Sequence, residues 1–313
     1  MARYALRRVG QAVVVAFGVS VIAFLLLQLV PGDPVRLALG TRFNQATYDA
    51  LREASGLDRP LPVQFADYVG GAVRGDLGVS FRSGDPVTLI LLEGLPATLS
   101  LAFAALVVAL LIAVPLGVVS ALRSGSKLDY AATVLSQAGI SVPDFWMAIL
   151  LILLLADTFR LLPASGYISP LDSVGGWLSH LVMPAVTVGV VSGSILTRFV
   201  RSAVLEALGQ DYTRTARSKG LAERVVVRRH VLRNAAVPII TVTGLQLAYL
   251  LGGVIIVEVI FAWPGLGFLA LQAVEARDYP VVQGAVLLVA MVFLVVNLVV
   301  DLLYAAVDPR ITY

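Results

Sequence analysis

The chain has 313 residues, 58% of them hydrophobic and 14% charged, with a mean hydropathy of +0.90. Soluble domains carry roughly 25% charge, so much of this surface faces something other than water. The absence of cysteine excludes disulfides and thiolate chemistry, and the net charge of +3 points to no partner until its residues are mapped.

A helix needs about 20 apolar residues to cross the roughly 30 Å hydrocarbon core of a bilayer. The first charge-free run, Val9–Val30, has 22. Arg3, Arg7 and Arg8 precede it as in a signal peptide. The run is longer than a signal core and lacks a small-residue cleavage site, which predicts an uncleaved first span. Pro31–Glu93 then carries turn chemistry ("PGDP", "DRPLP", "RSGDP") and a short amphipathic stretch at Val63–Val73. Its length suits a small extracytoplasmic insertion and is marginal for an independent domain.

Gly94–Leu122 gives 29 charge-free residues. Tyr130–Ala156 gives 27, interrupted only by Asp144 in "SVPDFW". A straight helix of that length would run about 40 Å, more than one crossing needs, and Pro143 offers a break. The expected arrangement is an interfacial or tilted lead-in at Tyr130–Ile140 and a main crossing at Phe145–Leu162. Ser173–Thr197 (25 residues), Asn234–Val257 (24) and Tyr279–Val300 (22) complete six predicted spans of an all-α membrane protein. Gly189 and Gly193 form a GxxxG in the fourth, a spacing suited to close helix packing.

Six spans put both termini on one side. That side holds fifteen Lys/Arg and the other eight, and the excess marks the cytoplasm. Within the spans, Ser192, Ser194, Thr243 and Gln246 are polar, a pattern that serves interhelical hydrogen bonding or a transport pathway. A carboxylate at Asp144 is costly in hydrocarbon and faces a pathway, a gate or the interface beside Pro143. Glu258 is expected at the outer mouth of the fifth span.

No GxxxxGK[ST] loop is present for nucleotide, no HExxH accompanies the two histidines, and no GxSxG elbow occurs. A polytopic chain without a catalytic set reads as a conduit, not an enzyme.

The block at 211–234, "DYTRTARSKGLAERVVVRRHVLRN", packs seven Lys/Arg and two acids into 24 residues. Leu205, Leu208, Tyr212 and Thr215/Ala216 recur at helical spacing, with Arg214, Arg217 and Lys219 largely off that stripe. Gly220 is placed to end the helix. Val225–Val227 with Arg228, Arg229 and Arg233 then open a second amphipathic piece leading into the fifth span. A short helix with small residues suits a groove on a partner. Nucleic acid fits poorly without interleaved aromatics, whereas anionic lipid suits the arginines.

This block, "DYTRTARSKGL…RRHVLRNAAVP", resembles the cytoplasmic docking loop of binding-protein-dependent ABC importer permeases of the dipeptide/oligopeptide/nickel subfamily. The general family motif begins Glu-Ala-Ala with a glycine four residues after the second alanine. Here those places hold Arg214, Thr215, Ala216 and Gly220, so the initial glutamate is missing. The subfamily form fits better, and the likeness continues through "VPGDPV", "VRGDLGVSFRSGDPV", "LPATLSL", "LLPASGY", "EVIFAWPGLG", "ARDYPVVQGAVLL" and "VNLVVDLLYAAVDPRI".

The resemblance implies the type I importer permease fold. It further implies a second homologous permease subunit, two ATP-binding subunits or a fused pair that use ATP and magnesium, and an extracytoplasmic substrate-binding protein. This chain itself holds no cofactor or metal. The cargo is a di- or oligopeptide or a related solute such as nickel chelate, glutathione or haem. ATPase coupling is implied for Glu206, Asp211, Tyr212, Arg214, Thr215, Ala216, Arg217, Lys219, Gly220 and Leu221. Asp144, Ser192, Thr243, Gln246 and Glu258 are the pathway or gate candidates. The expected division is 1–30 (N-terminus and first span), 31–94 (insertion), 95–304 (permease domain with its coupling loop at 198–234) and 305–313 (cytoplasmic tail).

Overall fold

The computed structural model describes residues 2–28, 32–40 and 43–307. Residues 29–31, where the first span was expected to meet the insertion, and 308–313, most of the expected tail, lie outside the described residues. Helix α1 (Ala2–Gln28) runs beside the last helix, α14 (Tyr279–Val307), with Arg8 Nη1 3.0 Å from Asp301 Oδ2.

The insertion folds as three short helices, α2 (Pro34–Leu39), α3 (Gln45–Ala54) and α4 (Leu61–Val73). Asp33 caps α2 through the Arg36 amide and also accepts from Tyr48 and Arg52, so one carboxylate ties α2 to α3. Helix α4 packs on α1 through Phe65, whose ring lies 5.4 Å from Phe24 and 5.9 Å from Phe17. The insertion therefore has its own polar stitching and an aromatic hold on α1.

Helix α5 (Val87–Leu122) has 36 residues and starts earlier than the charge-free run, taking Glu93 into its first turns. At about 54 Å it is longer than the bilayer core. Helix α8 (Val174–Gly209) is equally long and continues past Thr197 through Arg198, Arg201 and Glu206. The two helices pack together because glycines let their backbones approach. A Cβ on Gly189 would lie 2.6 Å from Val108 Cβ, and one on Gly193 would lie 3.0 Å from the Ala109 carbonyl oxygen. On the other helix, a Cβ on Gly117 would lie 2.7 Å from Val200 Cβ. The GxxxG is a packing device.

Between them, α6 (Lys127–Ser141) and α7 (Asp144–Leu151), which continues as a π-helical stretch over Ile152–Thr158, meet at 97°. The break falls at Val142–Pro143, as the proline predicts. The limbs differ from expectation: both are 15 residues long, about 22 Å each, and the second ends at Thr158. Neither is a full crossing alone. Among the described residues five helices have the length and apolarity to span, and the bent pair makes six when counted as one.

After α8 come α9 (Asp211–Ser218), the single turn α10 (Glu223–Val225), a π-helical turn at Val226–Val231, and α11 (Leu232–Gly253). The short helices α12 (Ile255–Ile260) and α13 (Leu266–Glu275) then lead to α14. One buried apolar group joins α5, α7, α8 and α11 with Phe261 and Trp263. A second joins the far ends of α5 and α8 with Ala216, Val226 and Val231.

Candidate coupling and pathway sites

The backbone extends at Gln210 (ψ 151°), so α8 and α9 are separate helices. Leu205 and Leu208 therefore do not share one helix with Tyr212, Thr215 and Ala216, as the continuous spacing had suggested. Thr213 and Ala216 face inward. The Thr213 hydroxyl donates to the Ala207 carbonyl at 2.8 Å, and Ala216 sits in the cluster with Val204, Val226 and Val231. Asp211, Arg214, Thr215 and Ser218 are exposed on the opposite side. Tyr212 lies on the flank, where partial burial and the Glu206 carboxylate push its phenol above the ordinary value.

Helix α9 ends in a Schellman motif: the Gly220 amide donates to Arg217 O at 2.9 Å and the Leu221 amide to Ala216 O at 3.4 Å. Gly220 takes φ +74°, a conformation that disfavours side chains. Arg217 then pairs with Glu223 at 2.6 Å across the turn, while Lys219 is exposed. The result is a short helix bonded on its inner side, with charged and small residues displayed outward.

At the start of α6, Asp129 accepts from Arg201 Nε at 2.8 Å and Nη2 at 2.9 Å, from Ser120 at 2.5 Å and from the Gly125 amide at 2.9 Å. This carboxylate joins α5, α6 and α8 just where α8 leaves the apolar core. Sequence reasoning missed it because its partners lie 9 and 72 positions away.

Glu258 is not at an open mouth. It is fully buried, accepting from the Thr98 hydroxyl at 2.7 Å and from the Phe268 amide at 2.9 Å. Thr98 also accepts from the Leu266 amide at 2.7 Å, and Trp263 Nε1 donates to Ala97 O at 2.8 Å. A Cβ on Gly265 would collide with the Glu258 carboxylate. The string "EVIFAWPGLG" is thus one knot: its acid caps the turn that its own glycines make compact, and α5 closes it. The Glu258 side chain therefore presents no surface in this structure.

Gln246 Nε2 donates to Ser192 Oγ at 3.0 Å, joining α11 to α8 in a buried interhelical bond. Ser194 instead bonds its own helix at Val190 O, 2.8 Å away. Thr243 Oγ1 and Asp144 Oδ1 are shielded from solvent and have no hydrogen-bond partner among the described residues. Of the pathway candidates, Ser192 and Gln246 are joined by a hydrogen bond between side chains, and Thr243 lies three residues before Gln246 on α11. Asp144 opens α7 directly after the break, beside the exposed Phe145 and Trp146. On another loop, Asp278 accepts from the Phe81 amide at 3.1 Å and from the Ser80 hydroxyl, fastening the end of the insertion to the start of α14.

Residues 113–313 match the family described as binding-protein-dependent transport system inner membrane component, and residues 1–102 match its N-terminal counterpart. The chain belongs to this family. Across full length this permease is 42% identical over 308 residues to a putative peptide transport system permease protein of Brucella abortus strain 2308, covering 98% of each chain. It is 38% identical over 337 aligned positions to the dipeptide transport system permease protein DppB of Escherichia coli K12, covering 100% of this chain and 99% of that one.

Among solved structures, the permease is similar to a chain of the inward-facing MetNI methionine ABC transporter, with TM-score 0.56 and 19% identity over 70% of this chain and 97% of that one. An amino acid ABC transporter solved with histidines matches with TM-score 0.52 and 19% identity, covering 72% and 95%. The fold is that of type I ABC importer permeases, and the chain is a multi-pass inner-membrane component of such an importer.

Proposed function

We propose that this permease forms half of a translocation pathway for di- or oligopeptides delivered by an extracytoplasmic binding protein, and that α9 couples it to an ATPase subunit. Its full-length similarity to permeases named for peptide and dipeptide transport supports the cargo class. One observation carries the coupling: α9 is bonded to α8 and seated in the cluster with Val226 and Val231, leaving an exposed face of charged and small residues. A partner moving α9 would move the ends of α8 and α11 with it, biasing a two-state element.

In this reading both termini are cytoplasmic. The permease performs no bond chemistry itself. ATP and magnesium serve two ATP-binding subunits or a fused pair, and a second homologous permease completes the conduit. The test is uptake by the complete importer in vesicles, with a dipeptide compared against nickel chelate, glutathione and haem. Dipeptide uptake that needs ATP and the binding protein is expected. Uptake of another of these solutes alone would move the cargo to that solute, and uptake without ATPase subunits would make the chain a secondary transporter.

A further inference from the structure

The π-helical turn between α10 and α11 sorts its residues in steps of five. The Leu232 amide donates to the Val227 carbonyl, five residues back. In an α-helix residues five apart lie about 140° round the axis, whereas the wider turn of a helix bonded i to i+5 brings them onto the same face. Val226 and Val231, five apart, are both fully buried in the cluster with Ala216. Arg224 and Arg229, and Arg228 and Arg233, are also five apart, and all four are exposed. The register that seats the valines inward gathers the arginines outward.

These arginines differ from others nearby. Arg201 pairs with Asp129, Arg214 lies near Asp211, and Arg217 pairs with Glu223. Among the described residues none of Arg224, Arg228, Arg229 and Arg233 has an ion-pair partner. Their position relative to hydrocarbon is equally specific. Arg233 directly precedes the charge-free run Asn234–Val257. Ile240, seven residues on and hence on the same helical face, is 41% exposed. Charge followed within about 10 Å by exposed apolar surface is the profile of a lipid, headgroup then chain.

We infer that Arg224, Arg228, Arg229 and Arg233 form a binding surface for the phosphates of anionic phospholipids in the adjoining leaflet. Guanidinium forks match phosphate oxygens in pairs. Lipid bound there would brace the valine seat on which α9 rests, so leaflet composition would act on the coupling region.

The test uses the complete importer reconstituted in phosphatidylcholine bilayers carrying a minority of phosphatidylglycerol, with retained lipid counted by mass spectrometry. Wild type should enrich phosphatidylglycerol. The combined variant Arg224→Gln, Arg228→Gln, Arg229→Gln, Arg233→Gln should lose that enrichment at least tenfold, from about fivefold per charge. Lysine at all four positions should keep most of it, which guards against a simple folding defect. Enrichment that survives in the glutamine variant overturns the inference. So does loss of ATPase subunits from that variant with lipid unchanged, which would make the surface a protein contact.

Discussion

The hydroxyl of Thr213 donates to the carbonyl of Ala207 at 2.8 Å, bonding α9 back onto the end of the helix that precedes it. Because Ala216 is buried beside it, the inner face of α9 is committed to its own chain. Ala216→Arg should therefore act by unseating α9, since a guanidinium would enter an apolar cluster. Thr213→Val should cost about 1 kcal/mol by leaving a buried carbonyl unsatisfied. Both should raise protease cleavage between Lys219 and Ala222 and weaken coupling, with Ala216→Arg the more severe, while membrane insertion stays normal. Unchanged cleavage in Ala216→Arg would show that α9 is not held this way.

The Glu258 knot is expected to be a stability element. Glu258→Gln substitutes a donor for the oxygen that accepts from Thr98 or from the Phe268 amide, leaving a buried polar group unsatisfied at about 1–3 kcal/mol. Gly265→Ala forces a methyl into the carboxylate, an overpacking cost of about 1–3 kcal/mol. Thermal unfolding in detergent should fall for both. A wild-type midpoint in Gly265→Ala would mean that the turn opens freely.

How much of this was legible differs by residue. The break at Pro143, the five long spans and the stop at Gly220 follow from local rules of apolar length and backbone geometry, so sequence alone located them, whereas the bent pair did not match its expected main crossing. The inward face of α9 did not follow, because Gln210 splits a stripe that periodicity read as continuous. The Glu258 knot and the Asp129 clamp depend on partners 160 and 72 residues away, which spacing cannot pair. Glu258 looked like a mouth residue because it follows an apolar run. Its burial comes from the return of α13 over it, a tertiary event.

Asp144 carries an unpartnered, shielded oxygen at the bend between α6 and α7. Asp144→Leu removes that burial cost, so protein levels should be preserved. If the carboxylate meets the pathway or gate, dipeptide uptake should fall by tenfold or more. Measured uptake equal to wild type would place Asp144 at an interface with no transport role.

The proposed orientation has a direct check. A reporter after Tyr313 should read cytoplasmic and one inserted at Gly56 external. The opposite reading at either point would reverse the Lys/Arg assignment.

In the proposed function an ATPase subunit meets the outward face of α9, where Thr215 is exposed between Arg214 and Ser218. Thr215→Arg adds bulk there without touching the buried side formed by Thr213 and Ala216. The decisive measurement is peptide-stimulated ATP hydrolysis, with ATPase co-purification, in the reconstituted Thr215→Arg complex. Expected is a loss of tenfold or more in one or both, with thermal stability of the permease unchanged. Full assembly and full stimulation would contradict coupling through α9 and leave the block a cytoplasmic loop that only obeys the positive-inside rule.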